Sequence, residues 1–261
     1  MFTVIITTHN RPLLLQRALT ALANQSYQNF STLVISDSDT YLPPYPHLQA
    51  LPGPYQYVLR NGASGPAHSR NLAIKLVDTD YAIFLDDDDT FEPNHLADLA
   101  AALQGQAIDQ QVLYFHDFNI IEEDRNQNPP VQLKRYSVTI AGATRAMMFV
   151  KNSIPNNCLI YPRQLLQAFA FDPGLILFED WEYLLACLGR AQLKHLAIES
   201  ANIHKSFVGG ESNIRRGNVN DEFLVATTLD IYRRHPAPDE ITRRERTARF
   251  ASLGISLEES I

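Results

Sequence analysis

The sequence predicts an α/β protein built on a doubly wound, mostly parallel sheet, and three observations predict it. Short β-branched apolar runs alternate with segments of helical period, in the order β-α-β-loop-β-α-β-α. The runs are continuously apolar, as in strands covered on both faces. Three of them end in polar or acidic residues, at Thr8 to Asn10, Ser36 to Asp39 and Asp86 to Asp89. In such a sheet these ends share the carboxyl edge, where open α/β folds take their ligands.

Phe2 to Thr8 reads as the first strand, and His9-Asn10-Arg11-Pro12 breaks it. Pro12 suits the first turn of a helix, which Leu13, Leu14, Arg17, Ala18, Ala21 and Leu22 continue at helical spacing. Phe30 to Ser36 is the second strand. Tyr41 to Pro54 holds five of the fifteen prolines and predicts an irregular surface loop. Tyr55 to Leu59 is a third strand, residues 61–66 a turn, and Ala67 to Val77 a helix. The fourth strand starts at Tyr81 and is followed by a helix over Pro93 to Gln104.

After Gln110 the pattern changes. Gln111 to Ile121 reads as a strand, Glu122 to Pro130 as a polar hairpin or loop, and Val131 to Val150 as mixed extended structure. Pro162 to Phe169 and Glu179 to Leu188 read as helices and Leu193 to His204 as a strand. Asn218 to Arg233 and Asp239 to Leu253 are expected helices. The expected organisation is one domain over residues 1–215, with residues 216–261 as a helical extension packed on it. A small additional sheet is expected beside the main one.

Composition narrows the function. The chain has 261 residues and a formal net charge of −7, which argues against broad nucleic-acid binding. No apolar run approaches the roughly 18 residues of a bilayer span. The start Met-Phe-Thr-Val-Ile-Ile lacks the basic region of a signal peptide. Cys158 and Cys187 have no CxxC spacing and read as core thiols of a cytoplasmic protein. No Gly-x-Gly-x-x-Gly or Gly-x-x-x-x-Gly-Lys-Ser/Thr occurs, which argues against dinucleotide-binding and P-loop proteins.

The chemistry concentrates where Tyr81-Ala-Ile-Phe-Leu85 runs into Asp86-Asp-Asp-Asp89. Four adjacent carboxylates repel, and a divalent cation with oxygen ligands relieves that repulsion while also holding a phosphate-bearing substrate. A solvated acidic loop is the other reading. Strand alternation puts Asp86 and Asp88 on one side and Asp87 and Asp89 on the other.

Five features in order carry a resemblance: Val4-Ile-Ile-Thr-Thr-His-Asn-Arg11; the strand ending at Asp37; Gly65-Pro-Ala-His-Ser-Arg-Asn71; Phe84-Leu-Asp-Asp-Asp-Asp89; and Phe178-Glu-Asp-Trp-Glu182. With them the chain resembles the family 2 glycosyltransferases, inverting enzymes of the GT-A fold that move a sugar from a nucleotide-sugar to an acceptor hydroxyl. The resemblance covers residues 1–205 and implies a Mn²⁺ or Mg²⁺ ion and a donor that is most often a UDP-sugar.

It implies that Thr8, His9, Asn10, Arg11, Asp37, Asn61, Gly65 and Arg70 surround the nucleotide. It further implies that Asp86 and Asp87 face the nucleoside, Asp88 binds the metal with Asp89 behind it, and His204 is a second metal ligand. Where the family usually shows two acids and Gly-Ser, this chain has Ser36-Asp37-Ser38-Asp39, so Asp37 and Asp39 compete for the pyrimidine ring. Asn71 is expected to brace the strand ends, Trp181 to pack in the core, and Asp180 to act as general base at a helix start. Residues 205–217, with glycine hinges and basic residues, read either as a lid over the diphosphate or as a mobile surface loop.

Two other functions fit parts of this pattern. A nucleotidyltransferase shares the core and the acids, but needs a glycine-rich basic loop after the first strand, and Thr7 to Pro12 has no glycine. A non-catalytic nucleotide-sugar-binding protein would dispense with Asp180. The resemblance places the chain in the cytoplasm, acting on a glycan or glycolipid acceptor. Arg243-Arg244-Glu245-Arg246 and Arg249 offer a peripheral contact to anionic lipid at the inner membrane face, although the thin apolar face of that helix favours solvent or a dimer contact.

Overall fold

The computed structural model describes residues 2–208, 211–212, 221–252 and 255. β1 (Phe2–Thr8) lies in parallel between β2 (Phe30–Ser36) and β4 (Tyr81–Phe84), and β2 pairs in parallel with β3 (Tyr55–Leu59). Val4, Ile5, Ile6, Val34, Ile35, Ala82 and Ile83 have no exposed surface, which is why the runs carry no polar alternation. α1 (Pro12–Ala23) and α3 (Pro66–Leu76) connect these strands, each with proline in its first turn. The chain moves outward from β1 to β3 and returns to β4 on β1's other side. The switch point between β1 and β4 opens a crevice at their carboxyl ends.

Beyond β4 the sheet becomes mixed. β8 (Leu159–Pro162) is antiparallel to β4, β6 (Val112–Asp124) antiparallel to β8, and β9 (Gln192–Val208) parallel to β6. The short β5 (Thr90–Phe91) and β10 (Glu211–Ser212) pair with β9, and β7 (Val131–Val138) forms an exposed hairpin with β6. Four helices complete this half: α4 (His95–Leu103), α5 (Arg145–Val150), α6 (Arg163–Gln167) and α7 (Glu179–Leu188).

Departures from the sequence reading have local causes. The proline-rich loop contains a turn of helix, α2 (Tyr45–Gln49), because Leu48 is drawn wholly into the core. There Gly53 lies so close to β2 that a Cβ would stand 2.0 Å from Phe30 O. α4 starts at His95, two residues after Pro93, whose carbonyl accepts from Ser26 N (2.8 Å). β6 continues to Asp124, so part of the expected polar loop is strand. The expected extended stretch up to Val150 ends in α5, capped by Thr144 accepting from Met147 N (3.3 Å).

α8 (Asp221–Arg234) and α9 (Glu240–Ala251) pack on α5 through Tyr232 Oη to Val150 O (2.6 Å) and Arg246 Nε to Phe149 O (2.9 Å). Arg246 is fully buried with its guanidinium 3.9 Å over the Tyr232 ring, and burial brings its pKa down to about 10. The basic C-terminal stretch therefore presents no single cationic patch, in keeping with the thin apolar face of its helix. Arg246 faces inward, Arg249 donates to Val150 O, and the exposed Arg243 and Arg244 pair with Glu240. No helix among the described residues is long and apolar enough to cross a membrane. The lid or loop segment falls largely outside the described residues.

Candidate active site

The four acids after β4 do not form a solvated loop. Asp87, Asp88 and Asp89 are at most 3% exposed, and Asp86 alone is half-buried. The strand ends at Phe84 and a turn follows, closed by Asp89 N to Asp86 O (3.0 Å). The expected strand alternation therefore does not hold. Asp86, Asp88 and Asp89 bring carboxylate oxygens within 4.8 Å of one another, while Asp87 turns toward β1. There Asp87 accepts from Thr8 Oγ1 (2.7 Å) and faces Arg11 Nη1 (3.3 Å). Burial, opposed by Arg11 and Thr8 and reinforced by its acidic neighbours, raises the Asp87 pKa to about 6.

Three arginines converge on Asp88 in the turn. Arg125, at the tip of the β6–β7 hairpin, donates to Asp88 Oδ2 (3.2 Å), Glu123 Oε1 (2.7 Å) and His204 O (3.1 Å). Arg17 on α1 donates to Glu123 Oε2 (2.7 Å) and Asp88 O (2.5 Å), and Arg11 Nη1 lies 3.6 Å from Asp88 Oδ2. Burial raises the Glu123 pKa, but bonds from His204 and Arg17 prevail and bring it down to about 2. Asp89 accepts from Asn157 Nδ2 (2.5 Å) and His204 N (2.8 Å).

His204 was expected to ligate metal, yet it does not join the acid cluster. Its Nε2 lies 2.9 Å from Thr90 Oγ1 and its Nδ1 2.9 Å from Glu123 Oε2. The clustered donors are hard carboxylate oxygens, a set that suits Mg²⁺ or Mn²⁺, and two of the three acids are buried. The donor set fits such an ion.

The second strand end is equally organised. The Asp37 side chain is 4% exposed and receives Gly65 N (2.7 Å), Ser64 Oγ (2.9 Å) and Arg60 Nη2 (3.3 Å), with His9 Nδ1 at 2.7 Å. Burial pulls its pKa up, yet these bonds hold it below the ordinary carboxylate value. Gly65 reaches Asp37 with φ 136°, a backbone angle that L side chains rarely adopt. Asp39 is exposed, so the structure favours Asp37 as the organised acid. Asn10 accepts from Ser38 Oγ, and Asn61 stands exposed at the rim with its carbonyl toward Arg60 Nη1 (3.4 Å).

Arg70 is 7% exposed and bridges two parts of the site. It donates to Glu179 Oε1 (2.5 Å) and Asp86 Oδ1 (3.2 Å). The resemblance puts it beneath the nucleotide, and here it straps the start of α7 to the acidic turn. Asn71 does not brace strand ends but exchanges two 2.8 Å bonds with the Phe171 backbone in the segment before α7. Asp180 follows Glu179 in the first turn of α7, half-buried, with Oδ1 accepting from Trp181 N (2.8 Å). Burial and Glu179 push its pKa up, Arg70 opposes and Asp86 adds, leaving it at about 6. Trp181 is 1% exposed, as expected of a core residue, and its indole donates to Met148 O (2.7 Å).

Sequence reading missed Arg17, Arg60, Ser64, Glu123, Arg125 and Asn157. Only Asn157 carried a local signal, a Pro-Asn-Asn break before an apolar run.

A switch-point crevice, an acidic turn and a cradled acid on the neighbouring strand define the class of fold, GT-A-like. Comparison with known proteins agrees. The glycosyl transferase family 2 model matches residues 3–157, and the chain belongs to that family. WcaA of Escherichia coli (strain K12), named for glycosyl transfer in colanic acid biosynthesis, is 27% identical over 71% of this chain and 65% of its own length. The chain thus spans just under two thirds of that relative. The succinoglycan biosynthesis protein ExoW of Rhizobium meliloti (strain 1021) is 25% identical over 96% of this chain and 86% of ExoW. S. aureus TarS 1–349 in complex with UDP superposes with a TM-score of 0.68 at 18% identity, over 99% of this chain and 76% of that one. Mannosyltransferase PcManGT from Pyrobaculum calidifontis, in complex with GDP-Man and Mn²⁺, gives 0.57 at 15% identity over the same shares.

Proposed function

We propose that this chain transfers a sugar, with inversion, from a nucleoside diphosphate sugar to an acceptor hydroxyl in polysaccharide assembly. The observation that carries the reading is the Arg70 strap, which fixes the α7 start, and with it Asp180, beside the acidic turn. Base and leaving-group site must face opposite sides of one anomeric carbon, and the Arg70 cross-link fixes the spacing of α7 and the acidic turn that this needs.

The acceptor oxygen bonds to the anomeric carbon as the bond from that carbon to the diphosphate oxygen breaks. The nucleoside diphosphate departs with the electron pair, and the acceptor proton passes to the Asp180 carboxylate. Arg11 and Arg125, both against Asp88, are assigned to stabilising that leaving charge. A divalent ion held by Asp86, Asp88 and Asp89 would supply Lewis-acid stabilisation of the diphosphate.

Asp37, with Thr8, His9, Asn10, Asn61 and Gly65 around it, is assigned to the nucleoside. UDP is favoured by resemblance and by the UDP complex of TarS, while the GDP-Man complex of PcManGT keeps a purine donor in view. His204 is assigned to holding Asp89 and Glu123 in place. Residues 1–215 are assigned to the transfer unit, with α8 and α9 as an extension packed on α5.

The test is Asp88→Asn against wild type, reading Mn²⁺ binding by calorimetry and donor turnover by nucleotide release. Loss of both is expected. Unchanged Mn²⁺ affinity in Asp88→Asn would refute the metal assignment.

A further inference from the structure

Beside α7 lies a cavity of about 690 Å³, within the size range of small-molecule sites, roughly 300–1,000 Å³. No residue of the acid cluster or of the Asp37 cradle lines it. Phe178, Trp181, Leu229 and Phe250 give it an apolar wall. Lys151, Arg249 and Glu222 also line it, a local balance of +1 on a chain of net charge −7.

Two segments tie this cavity to the reaction centre. Phe178 and Trp181 flank Glu179 and Asp180 in sequence, with their rings perpendicular at 5.7 Å. Lys151 and Asn152 begin the stretch that ends at Asn157, whose side chain donates to Asp89. Phe178 holds φ 63°, a left-handed conformation that a bulky residue keeps only where the surroundings enforce it. A strained aromatic residue of the cavity wall thus lies two positions before the assigned base in the chain.

We propose that the cavity binds a single-chain anionic amphiphile, the non-sugar part of the acceptor, and so presents the acceptor hydroxyl to Asp180. The aliphatic chain takes the apolar wall, and the anionic group pairs with Lys151 and Arg249. This rests on the reading of Asp180 as base, but its binding half is independent of donor and metal.

Trp181 is the only tryptophan and lines the cavity, so intrinsic fluorescence reports occupancy. The full chain is titrated with n-decyl phosphate below micelle formation, alongside decanol and inorganic phosphate. Decyl phosphate is expected to give a saturable change, decanol one at least tenfold weaker, and inorganic phosphate none. Lys151→Glu, an exposed position, should weaken decyl phosphate at least tenfold and leave decanol unchanged. Val225→Phe, checked for folding by circular dichroism, should weaken both.

With Mn²⁺ bound, as verified by calorimetry, decyl phosphate protons near the head group should relax faster than those at the chain end. An absent fluorescence change, a response to phosphate alone, indifference to both substitutions, or a reversed relaxation gradient would each overturn the proposal. Failure of Mn²⁺ to bind would instead count against the metal reading. Retained transfer in Asp180→Asn with intact decyl phosphate binding would remove the base and with it the presentation of the hydroxyl, leaving only the cavity's ligand.

Discussion

The acid limb of the pH–rate profile tests the site most directly. Asp180 must be ionised to take the acceptor proton, and its pKa is about 6. A group with that pKa is about 90% ionised at pH 7 and about 10% at pH 5, so kcat/KM should fall roughly tenfold across that interval. The sign is fixed: activity is present above the limb and lost as pH falls through it. An ion on Asp86 cancels one of the carboxylate charges that raise Asp180, so Mn²⁺ should move the midpoint down, never up. Arg70→Gln removes the cation opposing the rise and should move it up, whereas Arg70→Lys should shift it less. Asp180→Asn should cost about 10²–10⁴-fold in kcat with nucleotide affinity unchanged. The same change should raise the thermal midpoint at pH 7, because ionising a carboxyl of raised pKa costs stability there. The assay is initial-rate nucleotide release from pH 5 to 8. A flat profile, or a midpoint above 7 in wild type, would refute the reasoning.

Three further outcomes are expected. Arg125→Gln removes a guanidinium 3.2 Å from Asp88, so Mn²⁺ alone should bind at least several-fold tighter, and the tightening that UDP brings should shrink; calorimetry with and without UDP reads both. His116 is fully buried with an unpartnered Nε2 and a pKa pushed down by burial to about 4. Below about pH 6.5 the unfolded chain takes a proton that the fold refuses, removing about 2.5 kcal/mol between pH 7 and 4.5; His116→Phe should narrow that difference in urea midpoints. Gly53→Ala places a methyl 2.0 Å from Phe30 O and should cost about 1–3 kcal/mol, read as a lowered thermal midpoint.

What could be read ahead from the sequence divides along physical lines. β1 to β4 were legible because buried parallel strands are written as unbroken apolar runs with polar ends. β8 was not, since Leu-Ile-Tyr-Pro is too short to declare itself and pairs only through partners far away in sequence. The acids were legible as a run, but their arrangement was not: a turn, not strand alternation, turns Asp87 away from the other three. Asp37 and Asp180 could be located by neighbouring residues. Arg125, Glu123 and Arg17 could not, because their importance lies in converging from the β6–β7 hairpin and α1 onto one point. Arg246 shows the converse, a charge that local sequence assigns to solvent and that backbone carbonyls of α5, of α8 and of the α8–α9 connection draw inside.

The position of β8 also bears on how the chain comes to fold. Until residue 162 has been made, β4 has no neighbour on its far side, and an apolar edge stands open beside finished parallel pairs. A nascent or truncated chain that stops short of Leu159 would carry that raw edge into solution and invite self-association. Closure of the sheet therefore waits on a four-residue strand delivered late, which sets a lower limit on the length of chain that can stand alone.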